Sequence, residues 1–415
     1  MFRKYQLENG IPLVVERIEN VRSVTLGIWV KVGSRIEPSG KNGISHFLEH
    51  MFFKGTKKRS ARDIAVDIDS VGGDLNAFTS RETTTFYVKV LDEHIERGID
   101  LLTDIFLHST FPEDDIEKEK NIIKEEIKMV EDTPDDYIHD LFYQDVWGGS
   151  GIGQPILGNR DTIKSFNRED IMSHIRKYYG TRDTVIACAG NFNPQKLLDM
   201  LNHSLGSLRR GSEPDMGSFP LFRPVTSVYT KDLSEVHVCL GVESISQVSK
   251  ERYALYILNA ILGASVSSRL FQEIREKRGL AYSIYSFVAS YIDTGLWGVY
   301  AGTAKKRVPE VIELIAREIK GLSNTVTVSE LKKSKDQIKG NLIMALESTS
   351  SRVQNLARQE IYHGRHFSAD EIIREVDVVT LEQVKELLER LVHEKAFALT
   401  LLGPVSEKDV KGIFS

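Results

Sequence analysis

The chain has 415 residues, 41% of them hydrophobic and 27% charged. That is the balance of an ordinary globular protein, with enough length for two or three domains. A formal net charge of −5 offers no basic field for nucleic acid or anionic lipid. No apolar run reaches the ~18 residues of a membrane span.

The N-terminus, "MFRKYQLENGIPLVVERI", runs into a strand-like pattern with no basic-then-apolar leader, and a bacterial cytoplasmic location is expected. Residues 11–16 and 23–32 read as strands, the second apolar almost throughout, as for a strand covered on both faces. "ISHFLEHMFF" reads as a helix. A second helix starts at Ser60, an N-cap, and ends at Gly72-Gly73. The intervening "KGTKKRSARD" is expected as a solvent-facing basic loop. "DLNAFTSRETTTFYVKVL" reads as two strands joined by a turn at Arg81-Glu82. Helices follow at 93–109, 113–131 and 135–145, then a glycine-rich stretch, "WGGSGIGQPILG". This stretch lacks the features of a phosphate loop and is expected as a flexible loop. A helix at 168–179 and the strand "TVIACAG" complete the half.

Gly, Pro and Ser collect without period around residues 211–225, which reads as a linker. Beyond it the order recurs. "EVHVCLGVES" stands where "SVTLGIWVKV" stood. "SSRLFQEIREK" stands where the first helix stood, and "GLAYSIYSFVASY" with "GLWGVYAGTA" where the strand pair stood. Helices at 307–322 and 328–347 and a last strand, "AFALTLLGP", follow. The fold class is therefore α+β, a tandem duplication with domains at 1–210 and 226–415. Cys188 and Cys239 lie in strand-like runs and are expected as buried free thiols. His237, within a strand, is expected as a hydrogen-bonded sheet histidine.

The chemistry concentrates in the first copy. At about 100° per helical residue, Glu49 and His50 straddle His46, so all three share one face. Two histidines at i and i+4 can reach one ion, leaving Glu49 beside it as a base able to take a proton from water. A catalytic zinc site needs a third protein ligand. On "FPEDDIEKEKNIIKEEIKMVED", Ile116, Ile123, Ile127 and Val130 mark an apolar stripe that includes Glu119 and Glu126. Glu125 falls on the far side. Of the two inward carboxylates, seven residues apart, one can bind metal while the other hydrogen-bonds a ligand.

"GISHFLEHMFFKGT", followed by "EKEKNIIKEEI", resembles the inverted HxxEH zinc metallopeptidases of the pitrilysin, insulin-degrading enzyme and processing-peptidase family, with the processing-peptidase-β type as the nearest match. The resemblance implies two similar α/β-roll domains, each a mostly antiparallel sheet covered by helices, together forming half a clamshell. It implies one zinc ion per chain held by His46, His50 and Glu126, with Glu49 as general base and Glu119 as the further acid. It implies that Arg275 and Tyr282, in "REKRGLAY", lie over the scissile peptide. Asn76, Ala77 and Phe78 would pair with an extended substrate, a stretch that the residues alone read equally as ordinary sheet; Phe47 joins them as an expected substrate contact. The implied activity is endopeptidase cleavage of peptides or unfolded segments. A homodimer is expected, because half a clamshell needs a partner to supply Arg275 and Tyr282. The competing class is a non-catalytic or partner-dependent subunit.

Overall fold

The computed structural model describes residues 1–38, 40–217, 219–393 and 396–409. It contains two sheets. The first comprises β1 (Phe2–Gln6), β2 (Pro12–Arg17), β3 (Ser23–Val30), β4 (Asp74–Thr79), β5 (Thr84–Leu91) and β6 (Thr184–Gly190), in the order β1-β2-β6-β3-β5-β4. The second comprises β7 (Thr226–Thr230), β8 (Val236–Ser244), β9 (Ala281–Ser290), β10 (Gly295–Thr303) and β11 (Ala398–Gly403), in the order β7-β11-β8-β10-β9. Each sheet is antiparallel except for one parallel pair, β2 with β6 and β11 with β7. With β1 set aside, the two orders coincide strand for strand, so the duplication is a property of topology.

A shared detail reinforces it. Gly190 ends β6 at φ +132° and Gly403 ends β11 at φ +151°. A Cβ at these positions would stand 2.3 Å from the Ser23 carbonyl oxygen and 2.7 Å from that of Glu235. In both copies the strand crosses the start of its neighbour so closely that only glycine fits.

Alternation explains the cores. In the first sheet Leu26, Ile28 and Val30 of β3, with Ile186 and Cys188 of β6, face the main core. Trp29, Val185, Ala187 and Ala189 face the other way, onto Val353, Leu356 and Ala357. The small side chains of β6 leave room for that covering helix, Thr349–His363. In the second sheet Cys239, Leu296, Tyr300 and Ala398 pack on Ile138, Phe142 and Val146 of the helix Pro134–Trp147.

The covering helices are exchanged relative to the sequence. One compact unit comprises Met1–Lys128, Gln154–Gly217 and Met344–His366. The other comprises the described residues of Met129–Gly153, Ser218–Ile343 and Phe367–Ser415. A contiguous division at 211–225 therefore misassigns two helices. Each half donates one helix to the other half's sheet, on the face away from that sheet's main core, a destination that local periodicity does not encode.

Two further expectations are corrected. The loop after the first helix is not simply solvent-facing, because Arg59 ties Asp67 (2.8 Å), Asp104 (2.6 Å) and Asp100 together. "SSRLFQEIREK" forms no ordinary α-helix; Phe271–Glu276 is a π-helical turn. Strand β1 and the helix Pro194–Leu205 are further elements of the first half; Leu197, Leu201 and Leu205 after the Asn193 cap carry the helical signal of the latter. Cys188 and Cys239 are free and buried. His237 Nδ1 is 2.9 Å from the Tyr300 hydroxyl. Among the described residues no helix is long and apolar enough to cross a membrane.

Candidate metal centre

The motif helix, Ile44–Met51, has only eight residues and begins at Gly43, with φ +93° and no capping side chain of its own. Two N–H groups at its start are satisfied by a side chain from outside the helix. Glu37 Oε2 accepts from the Gly43 N–H (2.6 Å) and from Asn42 Nδ2 (3.0 Å), and Oε1 accepts from the Ser45 N–H (2.8 Å). This carboxylate sits at the positive end of the helix, where such a charge is most useful. Burial raises its pKa against the three donors. Asn42 Nδ2 also donates to the Pro155 carbonyl (3.0 Å). Backbones touch beside it: a Cβ on Gly158 would lie 2.3 Å from the Asn42 carbonyl oxygen. The 155–158 end of the glycine-rich stretch is thus a buttress for the motif helix and not a flexible loop.

The helix Glu113–Glu131 supplies the opposing carboxylates. Glu125 is exposed, whereas Glu126 is only partly exposed and Glu119 is buried. His46 Nε2 lies 3.6 Å from Glu126 Oε1, and His50 Nε2 lies 3.6 Å from Glu126 Oε2. All three side chains offer ligand atoms within 4.8 Å of one another. Those gaps are too long for hydrogen bonds. Two ligands at ~2.0–2.1 Å from a tetrahedral ion stand ~3.3 Å apart, so the spacing fits a zinc ion. The electrostatics agree. Burial acts to lower the His50 pKa, but its hydrogen bond to Glu119 and the charges of Glu126, Glu119 and Glu49 outweigh that and raise it. His46, then the charge of His50, hold Glu126 below the usual carboxylate range against burial. The set favours a cation.

Glu119 accepts from His50 Nδ1 at 2.8 Å, which turns Nε2 towards Glu126. Glu49 Oε2 is buried with no protein partner, leaving an acceptor available to a water or a peptide nitrogen.

Phe47 does not belong to this surface. It is 0% exposed and packs edge-on against Phe166, with ring centroids 5.4 Å apart, because successive helical side chains point about 100° apart and His46 takes the open side. Strand β4 is an edge strand. The Ser80 N–H donates to the Thr83 carbonyl, so by alternation Ala77 directs its N–H and carbonyl away from β5. In this structure Asn76 Oδ1 accepts from the Ala77 N–H at 2.8 Å. Phe78 is partly buried beside Tyr87.

Arg275 and Tyr282 lie in the other compact unit. The Arg275 guanidinium stands 5.2 Å from the Tyr282 ring centroid and 4.6 Å from that of Phe271. Tyr282 is 82% exposed, so its ring is held by the cation and not by a core.

Residues 13–160 match the model of insulinase-type peptidase family M16, and residues 165–338 match the model described as the peptidase M16 inactive domain. The chain is 42% identical over 405 residues to the uncharacterized zinc protease YmxG of Bacillus subtilis, covering 97% of this chain and 98% of that one. Its fold is similar to that of a crystal structure from Pseudomonas fluorescens described as a peptidase M16 inactive domain, with TM-score 0.91, 18% identity and 98% of both chains covered. It is also similar to a protease from Helicobacter pylori, with TM-score 0.89, 24% identity, and 97% of this chain and 99% of that one covered. Two consecutive family models and a relative aligned almost end to end place this chain in peptidase family M16.

Proposed function

We propose that the protein is a zinc-dependent endopeptidase for peptides or unfolded polypeptide segments. The observation that carries this reading is the convergence of His46, His50 and Glu126 around an ion-sized gap beside Glu49. Relatives in Bacillus subtilis and Streptomyces coelicolor are named zinc proteases. A zinc ion held by these residues would supply Lewis acidity for the peptide carbonyl and acidify a water. Glu49 takes the proton of the attacking water and returns it to the leaving amine. The outward backbone of Ala77, once released from Asn76, aligns an extended substrate as an added strand. Arg275 and Tyr282, contributed by a second copy of the chain, donate to the developing oxyanion. The presence of an acid at position 49 opposes a purely non-catalytic role.

The test is cleavage of a quenched peptide library by zinc-loaded protein. Wild type should cleave, chelator should abolish cleavage, and Glu49→Gln should keep its zinc while losing ~10²-fold or more in rate. Near-normal turnover by zinc-loaded Glu49→Gln protein would overturn the reading.

A further inference from the structure

We propose that Lys54 is a positioning residue for the metal centre, acting on His50 through Glu119; the inference rests on the reading that His50 binds the ion. Lys54 Nζ is 2.6 Å from Glu119 Oε2, while Glu119 Oε1 is 2.8 Å from His50 Nδ1. The Glu119 side chain is 2% exposed. Each of its two oxygens is thereby committed to one partner, and the three side chains form a single line from solvent to the centre.

A buried carboxylate with only one oxygen satisfied is costly, and its carboxyl group turns towards any second donor it can find. Lys54 removes that freedom. Glu119 then presents Oε1 as an acceptor, His50 Nδ1 donates, and the lone pair of Nε2 is left facing Glu126. His46 Nδ1 has no such partner, so the orientation of the ligand pair depends on the His50 side.

The backbone that carries Lys54 is itself held. The Lys54 N–H donates to the Met51 carbonyl (3.2 Å), the Phe52 carbonyl accepts from Ser109 Oγ (2.9 Å), and the Gly55 carbonyl accepts from the Thr110 N–H (3.1 Å). The turn after the motif helix is thus pinned just ahead of the helix that bears Glu119. Like-charge repulsion between Lys54 and a dication opposes this role. The Lys54 side chain is 29% exposed and solvent screens its charge, so orientation outweighs repulsion.

The test is zinc affinity of the full chain, measured by competition with a fluorescent chelator, for wild type, Lys54→Met, Lys54→Arg, Glu119→Gln and the Lys54→Met/Glu119→Gln double variant. Lys54→Met should weaken zinc binding about tenfold. Lys54→Arg should restore most of it, and Lys54→Met should add nothing once Glu119 is Gln. A merely structural lysine would not show that last result. Undiminished or tighter binding by Lys54→Met, or an equal further loss in the Glu119→Gln background, overturns the proposal. Should Lys54→Met fail to fold, Lys54→Gln replaces it, with a several-fold loss expected and wild-type affinity overturning the proposal. Wild-type protein that binds no zinc would instead overturn the reading of the centre.

Discussion

Glu125 and Glu126 are adjacent acids with opposite fates. One is exposed, and the other faces both histidines at 3.6 Å. Glu126→Ala should therefore abolish stoichiometric zinc binding, while Glu125→Ala should leave it within about twofold of wild type. Elemental analysis of the two purified variants decides it; equal zinc contents would remove Glu126 from the ligand set. At this scale the sequence is most legible. Helical phase alone distinguishes residues 125 and 126, because it sets the direction of each side chain. The same phase turns Phe47 about 100° away from His46, and Phe166 covers it, so Phe47 does not meet its expected role as a substrate contact.

The motif helix is short, and its alignment depends on Glu37. Removing that carboxylate leaves the Gly43 and Ser45 N–H groups buried without acceptors, at ~1–3 kcal/mol for each such donor. Glu37→Ala should lower the denaturation midpoint and weaken zinc binding together; unchanged values for both would deny Glu37 this function. In the second unit, Arg269 makes a two-pronged contact with Glu330, at 2.7 and 2.9 Å, joining the segment before Arg275 to the start of the helix Val328–Ala345. Arg269, with Thr327, holds the Glu330 carboxyl down to about 2 against burial. The folded chain thus binds that proton less readily than the unfolded one, whose carboxyl titrates near 4.5. The contribution of Glu330 is full above that value and fades as pH falls from about 4.5 towards 2. Denaturant melts of wild type and Glu330→Gln should differ by a constant amount above pH ~5 and converge below it. A gap that persists unchanged at pH ~2.5 would contradict the assignment.

Over the whole molecule, His46, His50 and Glu126 occupy one compact unit and Arg275 with Tyr282 the other. If a second copy closes the site, two inactive variants should complement. Glu49→Gln protein mixed under exchanging conditions with Tyr282→Phe protein should recover activity, because a mixed dimer holds one site with both residues intact. Mixed dimers that form but stay inactive, or an active monomer, would refute the shared site. The exchange of helices between the two halves bears on any dissection of the chain. A fragment ending at the linker lacks Thr349–His363 and exposes the Trp29, Val185 and Ala187 face of the first sheet.

The sequence by itself determined most of the elements, their recurrence in two copies, and the phase that gathers His46, His50, Glu119 and Glu126 onto facing stripes. These follow from periodicity and spacing within single elements, where side-chain direction is a local property. Tertiary structure decided the rest. It placed Glu37 under a helix that starts seven residues later, and Lys54 against a glutamate on another helix. It turned a glycine-rich stretch into a buttress and sent one helix of each half to the other half's sheet. Such choices depend on which distant surface best fills a face or satisfies a buried polar group. Local patterns state only that the face or the group exists.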